Sequence, residues 1–145
     1  MLSAHRRPLT LALAAILALA ARGTAQPRPA TGGHVVVVKL IERPGDKPFA
    51  FDPAVVTVER GDTVRFTEAA GTMHNVRFTK VAPGAHLGSA TSGPYLTTKG
   101  QTYDVVIDKR FALGAYEYVC DPHAAIGMKG TLVVKSPDHP AGSDR

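Results

Sequence analysis

The sequence predicts an all-β protein, a mainly antiparallel Greek-key β-sandwich of about seven to eight short strands. Three observations support this fold class. Runs of β-branched and aromatic residues recur along the chain, clusters of Gly, Pro and Asp separate them, and no helical pattern of ten or more residues follows the N-terminal region. The 145 residues have the size of a single domain, so the sequence does not favour a multidomain enzyme.

The first 25 residues are expected to form a cleaved signal peptide. Residues 5–7 are basic, residues 9–21 are apolar and residues 22–25 end in small side chains. A membrane-spanning helix needs about 20 apolar residues, so no membrane anchor is expected. We therefore expect a soluble protein, periplasmic or otherwise exported. Its parts would be a flexible lead-in over 26–33, a folded domain over 34–135 and a disordered tail over 136–145.

Removal of the leader leaves a chain of nearly balanced charge. The full sequence has 17 Lys and Arg against 12 Asp and Glu, and three of the arginines lie in the leader with no acid. The mature chain would carry 14 basic and 12 acidic residues, a net charge of +2 rather than +5. This weak charge does not support nucleic-acid binding.

Seven segments have strand patterns: residues 34–41, 53–58, 63–67, 73–79, 101–108, 115–120 and 128–135. The first is a β-branched run, HVVVVKLI, and the third and fourth, TVRFT and MHNVRFT, alternate polar and apolar residues. Residues 81–94 are rich in Gly, Pro, Ser and Ala and are too long for a hairpin turn. A loop of this kind serves a function or wraps the edge of a sheet.

Cys120 is the single cysteine of the chain, and it cannot form an intramolecular disulfide. Export would place it in an oxidising compartment, where a free thiol is a liability. The sequence is compatible with two interpretations: Cys120 is buried and inert, or it binds a metal ion as a thiolate.

Three potential metal ligands lie close together in one loop. Cys120, His123 and Met128 are separated by gaps of two and four residues, and His74 offers a second imidazole in an upstream segment with a strand pattern. Two imidazoles, one thiolate and a weak thioether suit copper best. Zinc prefers four strong ligands and would gain little from a methionine. We therefore expect one copper ion.

Three further histidines are interpreted as ordinary surface or loop residues, with a position near the metal site as the alternative for His86. His34 begins a strand, His86 lies in the long Gly-rich loop and His139 lies in the tail.

Two segments carry a resemblance to a known family. Residues 73–76 (MHNV) and 116–130 (YEYVCDPHAAIGMKG) resemble those of type 1 blue copper proteins, the cupredoxins, on the plastocyanin and pseudoazurin side. Azurins have a longer Cys-to-His gap, and amicyanins have a shorter His-to-Met gap. Residues 51–53 and 59–64 also resemble the early strands of the family, so the similarity covers roughly residues 35–134.

This resemblance implies a cupredoxin-like fold and assigns roles to individual residues. His74, Cys120 and His123 would be the equatorial copper ligands, and Met128 would be the axial one. The backbone N–H of Asn75 would donate to the cysteine sulfur and tune the reduction potential. The implied function is electron transfer at a single type 1 site, by a protein that is not an enzyme.

The sequence departs from plastocyanins beside the ligand cysteine. Val119 stands where plastocyanins usually carry an exposed Tyr, and Tyr118, one position earlier, is expected to point inward with Cys120. No acidic cluster accompanies it. Docking through the acidic face of plant plastocyanins is therefore not expected.

The expected site for electron exit and docking is the surface around His123. Pro122, Ala125 and Ile126 surround it in sequence and would place its imidazole edge near a small apolar patch. Such a patch favours brief contacts with a redox protein donor and acceptor, and we expect the protein itself to be a monomer.

Two other functions remain open from the residues alone. A copper carrier or chaperone would deliver its ion to an exported partner, although such sites generally favour sets rich in Met and His. A structural adhesion module would carry the motif by chance.

Overall fold

A computed structural model of the protein describes residues 33–137. The predicted signal peptide, nearly all of the predicted lead-in and most of the predicted tail lie outside this range. Within it, no helix is both long enough and apolar enough to span a membrane.

The described residues form a sandwich of two four-stranded sheets. The strands are β1 (Val35–Glu42), β2 (Phe49–Asp52), β3 (Val55–Glu59), β4 (Thr63–Glu68), β5 (Arg77–Lys80), β6 (Thr102–Val106), β7 (Gly114–Val119) and β8 (Lys129–Lys135). One sheet has the order β2-β1-β4-β6 and the other β3-β8-β7-β5. The pairs β1–β4 and β3–β8 are parallel, and the other pairs are antiparallel. The predicted all-β sandwich is confirmed.

Two strands differ from the sequence prediction. Strand β2 was not predicted, because its four residues FAFD lie between two prolines and are too few for a periodic pattern. Strand β5 begins at Arg77 rather than residue 73, and His74 forms only an isolated bridge with Leu96. The regular ladder of β5 therefore begins only after the histidine, which leaves the His74 side chain free to face the end of the sandwich.

The two sheets meet in a core built around aromatic rings. Tyr118 is fully buried and packs edge-on against Phe51, Phe66 and Phe78, with ring centroids 4.8, 5.3 and 5.7 Å away. Alternation along β7 places Cys120 on the same inward side, and it too is fully buried. Edge-on aromatic packing stabilises such a core beyond the burial of area alone and holds the rings in fixed positions.

The long loop between β5 and β6 covers the edge of its sheet. A short 3-10 helix, Gly88–Thr91, is followed by a bridge between Arg77 and Ser92, and Gly93 N–H donates to the Val76 carbonyl at 2.8 Å. Leu87 and Leu96, which belong to this loop, are buried. The loop thus satisfies backbone groups that an open sheet edge would expose.

A methyl group on Gly130 is expected to destabilise the sandwich. A Cβ there would lie 2.5 Å from Cε2 and Cζ of Tyr118, whose ring is locked by its aromatic neighbours. We expect Gly130→Ala to lower the free energy of unfolding by about 1–3 kcal/mol in urea denaturation of the metal-free protein. A Gly→Ala exchange at a compatible site would instead stabilise by about 0.4–1 kcal/mol.

The neighbouring residue on β8 provides the matched control. Lys129 is exposed, so Lys129→Ala should change the unfolding free energy by no more than about 0.5 kcal/mol. Equal stability of the two variants would contradict the packing described for Tyr118.

Candidate metal centre

Four predicted site residues come from two chain segments that meet at one end of the sandwich, the stretch before β5 and the loop between β7 and β8. His74 precedes β5, and its backbone exchanges hydrogen bonds of 3.0 and 2.7 Å with Leu96. Cys120 directly follows β7, His123 lies in a 3-10 helix spanning Asp121–Ile126, and Met128 directly precedes β8. His74, Cys120 and Met128 are fully buried, and His123 is half-buried.

The donor atoms of His74, Cys120 and His123 form a nearly regular triangle. The distances are 3.5 Å from His74 Nδ1 to Cys120 Sγ, 3.4 Å from Sγ to His123 Nδ1 and 3.1 Å between the two Nδ1 atoms. The centre of such a triangle lies about 2 Å from each corner, the distance at which imidazole and thiolate ligands hold a metal ion. The three residues thus have the separation that a shared ion requires.

The loop between Cys120 and Met128 is closed by its own backbone. Cys120 N–H donates to the Met128 carbonyl at 3.2 Å, and Met128 N–H donates to the His123 carbonyl at 3.1 Å. Gly127 ends the 3-10 helix with φ of 91°, a left-handed conformation that glycine adopts without strain. These contacts bring Met128 back to the site as a buried residue.

The surroundings of Cys120 disfavour ionisation of its thiol in the absence of a metal ion. Burial raises the pKa of its thiol, while backbone N–H groups of Asn75 and His123 donate to the sulfur and partly oppose this shift. The Asn75 contact is the one that the sequence resemblance implies. A bound metal ion would stabilise the thiolate in this buried position.

The His74 ring is arranged to ligate as a neutral imidazole. Burial lowers its pKa, which favours the uncharged form, and its Nε2 lies 3.0 Å from Thr72 Oγ1. Ligation through Nδ1 would leave the proton on Nε2, which would then donate to the threonine hydroxyl. The contact holds the orientation of the ring.

Asp121 joins the two halves of the site. Its backbone N–H donates to Asn75 Oδ1 at 2.8 Å, and its carboxylate accepts from Asn75 Nδ2 at 2.7 Å and from Arg77 Nε at 2.5 Å. The Asn75 hydrogen bond, together with that from Arg77, lowers the pKa of this carboxyl against the opposing effect of desolvation. The residue after Cys120 is thereby tied to the residue after His74.

Phe49 is a site residue that the sequence analysis did not identify. Its ring stacks on His123 with centroids 3.8 Å apart and planes 18° apart, and it meets His74 edge-on at 5.6 Å. Phe49 begins the unpredicted strand β2, and the only sequence signal was the alternation of Phe49 with Phe51. The stack covers one face of the half-buried imidazole.

The residues predicted to surround His123 lie on the outside of the same loop. Pro122, Ala125 and Ile126 are exposed, and 48% of the Ile126 surface is accessible. Met73, beside the other histidine, is 49% accessible. The half-buried His123 therefore sits among exposed apolar side chains.

Of the histidines in the described part of the chain, His34 and His86 do not join the centre. The His34 backbone N–H donates to Asp62, and the exposed His86 donates its N–H to the Arg110 carbonyl. His139 lies outside the described residues.

Together, a two-sheet β-sandwich and a buried group of two histidines, a cysteine and a methionine at one end define the cupredoxin class. The chain belongs to the family described as copper binding proteins, plastocyanin/azurin family, whose sequence profile matches residues 37–135. It is therefore a copper-binding protein.

Individual plastocyanins are also similar to this chain in sequence. The chain is 36% identical over 102 residues to plastocyanin of Scenedesmus fuscus, covering 69% of this chain and 99% of the relative. It is 34% identical over 91 residues to plastocyanin A/B of Petroselinum crispum, covering 61% and 91%.

Solved structures show the same likeness. Oxidized plastocyanin from Dryopteris crassirhizoma aligns with a TM-score of 0.57 at 30% identity, covering 69% of this chain and all of that one. A reduced mutant amicyanin aligns with a TM-score of 0.53 at 30% identity, covering 74% and 87%.

Removal of the Asp121 carboxylate is expected to loosen the connection between the two ligand segments. Asp121→Ala should lower the unfolding free energy of the metal-free protein by about 1–2 kcal/mol, because Asn75 Nδ2 and Arg77 Nε lose their acceptor. Chemical denaturation measures this loss.

Glu117→Ala is the matched control. Glu117 also pairs with a basic residue, Lys80, but its side chain is 56% exposed against 29% for Asp121. The control should cost less than about 0.5 kcal/mol. An equally small effect of Asp121→Ala would mean that the two segments are held together by other contacts.

Proposed function

We propose that this protein is an exported electron carrier that binds one copper ion through His74, Cys120, His123 and Met128. The observation that carries the proposal is the triangle of two imidazole nitrogens and one sulfur with sides of 3.1–3.5 Å. The set is soft enough for Cu(I) and contains nitrogen donors that suit Cu(II). When bound, copper supplies a one-electron couple between these two oxidation states.

The chain's contribution is to keep the donors in place while the charge changes. His74 is fixed by Leu96 and Thr72, and Cys120 is fixed by the end of β7 and by the closed loop. Met128, buried at the start of β8, is proposed as a weak axial ligand that sets the potential rather than the affinity. Fixed donors reduce the rearrangement that accompanies electron transfer.

The exposed apolar surface around His123 is proposed as the site of electron exchange. All four proposed ligand residues lie in the described part of the chain, and His123 alone among them is not fully buried. Pro122, Ala125 and Ile126 would let a redox donor or acceptor approach the imidazole edge closely and leave rapidly. A monomer suffices for this function.

Export is proposed from the N-terminal sequence. The basic, apolar and small-residue order of residues 5–25 is that of a signal peptide, which places the mature protein in the periplasm or an equivalent exported compartment. A copper carrier is the alternative function. The buried sulfur of Cys120 favours retention of the ion over its delivery.

Cys120→Ser tests the proposed ligand set. A thiolate bound to Cu(II) gives an intense visible charge-transfer band that His and Met ligands do not supply, so the oxidised variant should be colourless. It should also bind Cu(II) more weakly, because the serine hydroxyl is a hard donor that is rarely deprotonated. Visible absorption and a copper titration measure both effects.

The folded state of the Cys120→Ser protein is the control, because the sandwich should form without metal. Its metal-free circular dichroism should match that of the wild type. A folded variant that keeps the wild-type colour and affinity would exclude Cys120 as a ligand. A wild-type protein that takes up one Cu(II) yet stays colourless would favour the carrier.

Ala125→Asp tests the proposed docking surface. A charge in the apolar patch should slow electron exchange with a redox protein by about tenfold or more, since desolvating an unpaired carboxylate opposes docking. The visible spectrum should not change, because Ala125 is exposed and is not one of the proposed ligands. Stopped-flow kinetics measure the exchange.

Ala115→Asp introduces the same charge elsewhere. Ala115 is exposed on β7, five residues and roughly 17 Å of strand from Cys120. This variant should exchange electrons at the wild-type rate. Equal rates for Ala125→Asp and the wild type would place docking on another surface.

A further inference from the structure

Glu68 is a fully buried acidic residue at the end of the sandwich that carries the copper site. It ends β4, and 0% of its surface is exposed. Its backbone is held on both sides: Glu68 N–H donates to the Gln101 carbonyl at 2.9 Å, and Gly100 N–H donates to the Glu68 carbonyl at 2.8 Å. Acidic residues are rarely buried to this extent without a partner.

The two carboxylate oxygens of Glu68 have different surroundings. Oε1 accepts the N–H groups of Ala70 and Gly71, each at 2.8 Å. Oε2 is buried and has no hydrogen-bond partner among the described residues, and none of the described salt bridges includes Glu68. One oxygen therefore organises a turn, and the other has no partner among residues 33–137 that would compensate a negative charge.

The turn that Oε1 organises leads directly to the copper site. Ala70 and Gly71 are followed by Thr72, whose hydroxyl contacts His74 Nε2, and then by His74 itself. A fixed turn at this point limits where the His74 ring can lie. The carboxylate thus acts on the ligand through two consecutive contacts.

The charge of Glu68 also reaches the ligands electrostatically. Burial lowers the pKa of His74, and the Glu68 carboxylate is the largest influence opposing that shift. Burial raises the pKa of Cys120, and Glu68 adds to that increase. Both effects have the sign expected of a negative charge near the donor triangle.

A negative charge on Glu68 would affect the two oxidation states of the copper site differently. With two neutral imidazoles and one thiolate, the site has one net positive charge when oxidised and none when reduced. A buried negative charge nearby is compensated only in the oxidised state. Because the dielectric constant is low in the protein interior, the electrostatic preference for the oxidised state is larger than it would be at the surface.

We propose that Glu68 is a positioning residue of the copper site, which fixes the turn before His74 and lowers the reduction potential by favouring Cu(II). This role rests on the proposed copper ligands. The role of Glu68 is separate from that of the ligands, because Glu68 does not bind the metal and the site could form without its charge.

Glu68→Gln is the direct test. The amide oxygen can still accept from Ala70 and Gly71, so the turn should persist while the charge is lost. We expect the Cu(II)/Cu(I) equilibrium against a redox standard to shift toward Cu(I) by about tenfold, which corresponds to an increase of about 59 mV for one electron. The visible spectrum should remain that of the wild type.

Two further variants separate charge from structure. Glu42→Gln removes an exposed carboxylate that also acts on His74, and solvent screening should keep its effect on the equilibrium below about twofold. Glu68→Ala removes both the charge and the acceptor for the turn. It should raise the potential as Glu68→Gln does and should also lower the stability of the metal-free protein.

The outcomes distinguish this inference from the proposed function. A wild-type protein without a reversible thiolate-to-copper band would defeat the function itself. A blue, reversible wild type whose potential is unchanged in Glu68→Gln would overturn the role of Glu68 alone. A Glu68→Ala protein as stable as the wild type would remove its role in positioning the turn.

Infrared spectroscopy of the wild type tests the charge even if a Glu68 variant fails to fold. With glutamate labelled by carbon-13, the difference spectrum between oxidised and reduced protein should contain a perturbed ionised carboxylate band. A band from a protonated carboxyl group in both states would overturn the proposal, because a neutral Glu68 could not favour Cu(II).

Discussion

The candidate copper site depends on the attachment of one loop to another segment 46 residues away. Asn75 and Asp121 exchange side-chain and backbone hydrogen bonds across this separation. These bonds fix the residue after His74 against the residue after Cys120, where neither segment belongs to a strand ladder. The sheets bring the two segments to the same end of the sandwich, and this link sets their final spacing.

Burial and polarity are combined differently at each proposed ligand. His74 and Cys120 are enclosed, so solvent cannot compete for their donor atoms, and each makes specific hydrogen bonds with the chain. His123 remains half-buried beneath the Phe49 ring. A fully enclosed site would isolate the metal from partners, while an open one would expose the thiolate to oxidation. The arrangement suits a retained ion that exchanges electrons through one edge.

The sequence predicted best the features that are local in the chain. The gaps between Cys120, His123 and Met128 lie within one loop, and residue type with spacing is sufficient to suggest their chemistry. His74 could be added because its segment has a strand pattern and the family resemblance includes it. The sandwich itself followed from repeated short runs of β-branched and aromatic residues.

Features that depend on contacts between distant segments were not predictable in the same way. The stack of Phe49 on His123 arises from strand β2, which has four residues and no clear period. The parallel pairing of β1 with β4 depends on the sandwich topology rather than on either sequence. Glu68 would ordinarily be assigned to the surface, because acidic residues are rarely buried, and its backbone pairs with Gly100 and Gln101, which are distant in the chain.

X-ray absorption at the copper edge, on one sample in both oxidation states, tests the central claim that the sandwich fixes the donor set. We expect one sulfur and two nitrogen donors at short distance in oxidised and in reduced protein, with little change between them. Loss of the sulfur or of a nitrogen donor on reduction, or a sulfur-free first shell in either state, would contradict it.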